Sequence, residues 1–489
     1  MDYQNSENST LLKSIDWFTV ILYLVMVTAG AVSIYAATYK FDGASMFDLT
    51  KFSGKQFLWI GLSLVIGFSL LLIDRRIYEA YAYPIYGAMM LLLVVTIVIA
   101  PDIKGSRSWI VLGPVSLQPA ELAKFATALA LAKLFSSYNF ALNSWKHYAQ
   151  ALGIIVTPIL LIRAQNETGT ALVYTSLIFV LYREGMSGFV LYSGLCAIVY
   201  FVLALKFSTS IIMGITLGAF IVFVVIMILV CGMLFIYCRS FILGRNVSLA
   251  YIACGVIAIG LALLGVHING YAFFLTVIIG SLIYLLIAMF HDDLRKVLIT
   301  VVFGATSLAF LFTVNFAFNS MLEPHQQQRI KVVLGIEDDP KGAGYNVNQS
   351  KIAIGSGGLT GKGFLNGTQT KLKYVPEQHT DFIYCTIGEE QGFVGSVAVL
   401  LLFLALIVRV IVIAERQHGI FTRVYAYCVA SIFIFHLGVN IGMVIGLCPV
   451  IGIPLPFFSY GGSSLWGFTI LLFILLRLDA ARKESGGNW

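Results

Sequence analysis

Long apolar runs alternate with short polar stretches along this chain, and most of the runs are close to bilayer length. A helix needs about 20 apolar residues to cross the hydrocarbon layer. About fourteen stretches meet or approach that length: 17–37, 57–73, 84–100, 119–135, 149–163, 169–183, 187–205, 211–238, 247–266, 271–291, 297–318, 393–414, 424–446 and 463–478. The pattern predicts an all-α fold, a polytopic bundle of transmembrane helices.

Composition supports this. Of 489 residues, 59% are hydrophobic and 11% charged, against about 25% charged in a soluble domain. So few charges cannot cover a water-facing surface, and lipid must be the surrounding solvent. The net charge of +7 is read as topology rather than as a nucleic-acid footprint, so no nucleic-acid partner is expected. With the N-terminus inside, Arg75, Arg76, Lys146, Arg183, Arg239, Arg245, Arg295, Lys296, Arg416, Arg423, Arg477, Arg482 and Lys483 all fall on inner segments, as the positive-inside rule requires. Both termini are then cytoplasmic and residues 319–392 face outward. The leading MDYQNSENST lacks a signal-peptide pattern, so the first apolar run reads as a retained anchor. The seven cysteines form no framework. Five lie inside apolar runs as small core residues, and no C-x-x-C or His-cluster metal signature is present.

The chain divides into an N-terminal membrane core (1–205), a motif-poor block of extra spans (206–318, the last completing the core), a large outer loop (319–392) and a C-terminal core (393–489). The middle block reads as lipid-facing scaffold.

Chemistry collects on the outer stretches. In GSRSWIVLGPVSLQPAELAKF, Pro119 suits the first turn of a helix. Glu121 follows in that turn, and Lys124 shares its face three residues on. An ionisable pair entering a span is expensive and suggests function, against the plainer reading of an ion pair that locks the helix end. Arg107 is a solvated loop charge or an anion contact; Trp109 is an interfacial anchor or a substrate contact. RAQNETGTALVY makes a tight outer turn holding Glu167. The outer loop is too long to be idle, and its GSGGLTGKG does not match a nucleotide-binding P-loop. VPEQHTDFIYCTIGEEQGFVGS holds His379, Asp381, Glu389 and Glu390 at the mouth of a span. Prolines 449, 454 and 456 break the helix in NIGMVIGLCPVIGIPLPFFSYGGSS. Irregular backbone at that depth must be buried in protein or line a cavity, and Ser459 within it is taken as a substrate contact.

Five ordered motifs resemble the SEDS family of bacterial cell-wall proteins: GSRSWIVLGPVSLQPAELAKFA, NETGTA, GAGYNVNQSKIAIGSGGLTGKG, PEQHTDFIYCTIGEEQGFVG and PVIGIPLPFFSYGGSS. The GKGFLNGTQ run is closer to the elongation branch, RodA, than to the division branch, FtsW. The resemblance implies a peptidoglycan glycosyltransferase that polymerises lipid II outside the cytoplasmic membrane beside a class B penicillin-binding protein. It places the family's essential acid at Asp381 and its Gln-Pro-x-Glu helix pair at Glu121 and Lys124. Glu167 stands where the family usually has Asp. The family has about ten spans, so about four here are additional.

The reaction implied joins a sugar 4-hydroxyl to carbon 1 of a lipid-linked sugar and releases polyprenyl pyrophosphate. It needs a base and a cationic site for the leaving group. Asp381 suits the base. Lys124, with Arg107 or a divalent cation such as Mg or Mn, suits the anion. A single displacement inverts the anomeric carbon. On one helix Glu389 would lie about 12 Å from Asp381, too far to pair, and Glu389 and Glu390 are read as holding the loop against the spans. Thr380 is expected to cap that helix, with Asp381 in its first turn. Two other classes fit many spans: a lipid-precursor flippase or transporter, and a non-catalytic scaffold. Acids at the outer end rather than the midplane, and no internal repeat, favour chemistry.

Overall fold

The computed structural model describes residues 13–39, 45–103, 105–113, 115–291, 293–337, 339, 342 and 344–485. The polar leader read before the first anchor lies outside the described residues. The chain forms two compact units, one from residues 1–186 with 345–489 and the other from Ser187–Gly344.

The first unit opens with α1 (Trp17–Thr38), α2 (Phe52–Leu72), α3 (Arg75–Ala80) and α4 (Ala82–Ile99). A hairpin of β1 (Ile110–Leu112) and β2 (Val115–Leu117) leads into α5 (Pro119–Phe135), α6 (Trp145–Ala164), α7 (Thr168–Thr175) and α8 (Ile178–Arg183). The second unit holds α9 (Gly188–Lys206), a two-residue hairpin of β3 (Ile211–Ile212) and β4 (Ile215–Thr216), α10 (Leu217–Gly232), α11 (Phe241–Leu263), α12 (Gly270–Ala288), α13 (Leu294–Phe316) and α14 (Pro324–Val333). The first unit resumes with α15 (Tyr345–Gly357), α16 (Thr368–Lys371), α17 (Ile383–Glu415), α18 (Ile420–Val444) and α19 (Gly462–Ser485).

Among the described residues, twelve helices are long and apolar enough to cross a bilayer. The other two of the fourteen expected spans differ for local reasons. Helix α5 is only 17 residues long. The 169–183 run splits into α7 and α8, because Ser176, Leu177 and Phe179 donate to carbonyls three residues back, the tighter 3₁₀ pattern. The second unit is also wider than the 206–318 block: it takes in α9, which packs on α13, and the start of the expected outer loop.

Two elements of the first unit position the site. Helix α19 is its centre, with 83% of its span buried. Helix α17 is broken at Gly392, where φ is 64° and ψ is −157°, a conformation left to glycine. The expected 393–414 span is the part beyond the break, and Ile383–Glu390 form a separate buried piece before it. The broken stretch after α18 is enclosed by protein, as its prolines require: Ile453, Leu455, Phe457 and Phe458 are all buried. Close approach of this backbone demands small residues opposite. A Cβ on Gly30 would lie 2.2 Å from Phe457 O, and one on Gly169 would lie 2.1 Å from Ile451 O.

Candidate active site

Asp381 does not lie in the first turn of α17. Helix α17 starts at Ile383, after a turn running from Pro376 to Phe382, and the Thr380 hydroxyl bonds Glu377 O at 3.2 Å instead of capping the helix. Asp381 therefore stands outside the first turn, where a helix dipole would favour the ionised carboxylate and weaken it as a base.

The turn is held by its backbone. Tyr460 N–H donates to His379 O at 2.8 Å. The Ser459 hydroxyl donates to Thr380 O at 2.7 Å. Asn440 Nδ2 donates to Asp381 O at 2.9 Å and to Ile453 O at 2.7 Å. Three successive carbonyls are thus gripped by donors from residues 440–460. The Asp381 side chain is partly exposed and faces the backbone at Gly452, where an added Cβ would come 3.5 Å from Oδ2. His379 lies flat on Phe52, with ring centroids 4.6 Å apart, and Tyr460 meets Phe52 edge-on at 4.9 Å. Burial pushes the Tyr460 phenol above its usual pKa, a rise partly offset by a hydrogen bond with Trp59, so it stays a neutral hydroxyl.

Ser459 was expected to touch substrate. It is 4% exposed, donates to Thr380 O, and accepts from Leu455 N–H at 2.8 Å. Both its hydrogen-bonding roles are used inside the protein, so its role is positioning. Glu121 and Lys124 do form the expected pair, at 2.8 Å. They are 2% and 1% exposed, closed in rather than open to an anion. Lys124 Nζ also lies 3.0 Å from His436 Nε2 and 4.4 Å from the centre of the Phe468 ring. His436 Nδ1 is 3.1 Å from Pro454 O, so this buried cluster braces the same irregular segment that grips Asp381.

Glu167 accepts from the hydroxyls of Ser106 and Ser108 at 2.8 and 3.0 Å, tying its turn to the 105–108 loop. Arg107 is exposed and Trp109 half-buried; the Arg107 N–H donates to Gln165 O at 3.0 Å. Glu389 is fully buried and fastens the outer loop. It pairs with Lys362 at 2.7 Å and accepts from the N–H groups of Thr368, Gln369 and Thr370 at 2.8, 2.8 and 2.9 Å. Among the described residues, no group of three or more His, Cys, Asp or Glu side chains is gathered around a metal-sized space.

His436, Asn440 and Gln378 were not singled out in the sequence. The first two carried a signal: two polar residues four apart share one face of an apolar span, where polar groups are costly.

These elements define a polytopic all-α membrane protein. The chain belongs to the FTSW_RODA_SPOVE family of cell cycle proteins, whose model matches residues 16–214 and 245–484. The second matched segment begins inside the 206–318 block. The peptidoglycan glycosyltransferase MrdB of Escherichia coli is 32% identical over 425 residues, covering 87% of this chain and 84% of its own. The peptidoglycan glycosyltransferase RodA of Treponema pallidum is 28% identical over 477 residues, covering 95% of this chain and 97% of its own. A chain of a solved peptidoglycan synthase complex shares the fold, with a TM-score of 0.61 at 24% identity, covering 96% of this chain and 98% of that one.

Proposed function

We propose that this chain is a peptidoglycan glycosyltransferase that polymerises lipid II into glycan strands on the outer face of a bacterial cytoplasmic membrane, serving elongation and shape. Family membership and relatives named peptidoglycan glycosyltransferase support the activity. At the residue level the reading rests on the grip on His379, Thr380 and Asp381, which fixes a partly exposed carboxylate on rigid backbone at the polar end of a span.

The Asp381 carboxylate takes the proton from the attacking 4-hydroxyl. The oxygen then bonds carbon 1 of the lipid-linked sugar from the face opposite the pyrophosphate. The bond from carbon 1 to phosphate breaks, and polyprenyl pyrophosphate leaves with the electron pair. One displacement inverts the anomeric centre. Asn440, Ser459 and the Tyr460 N–H hold the base still, so its orientation is set before substrate arrives. Crosslinking of the strands falls to a class B penicillin-binding protein as partner; a structure of similar fold comes from a complex that coordinates polymerisation with crosslinking. The 206–318 block serves lipid contact or partner docking rather than chemistry.

Asp381→Asn tests the assignment. It keeps the shape but cannot take a proton at neutral pH. Losing a general base costs about a hundred- to ten-thousand-fold in rate. Purified variant and wild type are compared for polymer made from labelled lipid II. Wild-type polymerisation by the variant overturns the catalytic role. A flippase or a scaffold would leave wild type itself without polymer in this assay.

A further inference from the structure

A cavity of about 370 Å³, lined by apolar and cationic side chains, opens between the end of α1, the start of α2 and the segment from Lys373 to His379, two residues before Asp381. Its volume is within the range of small-molecule sites. Lys51, Lys55 and Lys373 line it against a single carboxylate, Glu377. Lys55 and Lys373 are exposed, and no ion pair or side-chain hydrogen bond engages either ammonium among the described residues. Ammonium groups around one cavity repel each other and favour an anion between them. On the proposed topology all three stand on the outer side, against the cytoplasmic bias of basic residues, so membrane insertion does not account for them.

The wall next to the acid is tied to the end of α1. Gln378 is 5% exposed, and its Nε2 donates to Ala37 O at 2.6 Å. Its Oε1 has no hydrogen-bond partner. Buried polar atoms are nearly always paired; this one is closed off inside the wall rather than presented to the cavity. His379, itself in the cavity wall and two residues before Asp381, has its ring on Phe52.

We propose that this pocket receives the pyrophosphate of the lipid-linked donor sugar, with Lys55 and Lys373 as its counter-charge. This rests on the glycosyltransferase reading above. As the bond from carbon 1 to phosphate breaks, the electron pair remains on the phosphate oxygen and the two ammonium groups stabilise that charge. The hydroxyl proton goes to Asp381. The role that the sequence suggested for Lys124, which is buried against Glu121 and His436, falls instead to cations on the cavity wall.

The test uses the full-length protein in nanodiscs of zwitterionic lipid, with lipid II as substrate and inorganic pyrophosphate as competitor. Lys55→Gln and Lys373→Gln are each expected to raise KM for lipid II about tenfold, short of the hundred- to thousand-fold loss typical of a preorganised oxyanion donor. Both should weaken inhibition by pyrophosphate, and Lys55→Arg and Lys373→Arg should restore most of it. Lys146→Ala, an exposed lysine elsewhere, is the control. A double Lys→Gln variant that keeps wild-type KM and wild-type inhibition overturns the site while leaving the enzyme reading intact. Absence of polymer from wild type sinks the enzyme reading instead, and pyrophosphate binding followed by phosphorus NMR then judges the pocket alone. If the lysine effects appear only after anionic phospholipid is added, the pocket reads lipid headgroups and the proposal fails.

Discussion

Asn440→Leu is the sharpest probe of how the site is built. Leucine has the same heavy-atom branching as asparagine, though it is bulkier, and suits a membrane helix, but it removes both donors to Asp381 O and Ile453 O. Asn440 is fully buried, so water cannot easily replace them. Each carbonyl left without a donor costs about 1–3 kcal/mol, which puts the loss at about 2–6 kcal/mol. Part of that is relieved if the turn relaxes away from α18. That relaxation is the catalytic consequence: a shift of about 1 Å in a reacting group costs about a hundredfold in rate. The expected result is a fall in kcat of about that size with KM for lipid II changed far less, because Lys55 and Lys373, the proposed pyrophosphate contacts, lie outside the Pro376–Phe382 turn. Steady-state polymerisation of labelled lipid II gives the two constants, and a thermal unfolding curve in the same detergent separates misplacement from unfolding. Wild-type kcat in a folded Asn440→Leu protein would refute the idea that these hydrogen bonds set the acid. A rise in KM alone would assign Asn440 to substrate instead.

Glu389→Gln keeps the size of the side chain but loses the charge that Lys362 and three N–H groups share. The loop from Lys362 to Lys371 should become the first site of proteolytic cutting in folded protein, and an unchanged cleavage pattern would count against the fastening role. The proposed topology places Lys371 outside: Lys371→Cys should react with an impermeant thiol reagent in intact spheroplasts, and labelling only after lysis would invert the assignment.

Most of the fold was legible because apolar run length is a strong signal. The 420–444 and 462–485 helices follow from it directly. The 169–183 run did not, because a 3₁₀ joint of three residues leaves hydrophobicity unchanged. The acid at Asp381 was legible through its motif, whereas its surroundings were not. Ser459 reads as a substrate contact within a proline-broken segment expected to be buried in protein or line a cavity; only the fold shows its donor and acceptor spent on Thr380 and Leu455. Glu121 and Lys124 revealed their pairing through spacing, but spacing says nothing about whether water reaches the pair. Lys55 and Lys373 passed unnoticed because they are about 320 residues apart in sequence and become neighbours only where two segments meet.

The break at Gly392 also acts as a depth gauge. Phe393 and Val394 donate not to their own helix but to Gly358 O and Leu359 O, at 2.9 and 3.1 Å. Such interrupted backbone cannot be surrounded by hydrocarbon. The uninterrupted stretch from Phe393 to Glu415 rises about 35 Å at 1.5 Å per residue, slightly more than the roughly 30 Å hydrocarbon layer. Nothing before Gly392 is needed to cross it. On the proposed topology the bilayer surface is thereby levelled against one glycine, with Asp381 beyond it on the outer side, where the proposed reaction needs a sugar to reach it while its lipid tail stays below.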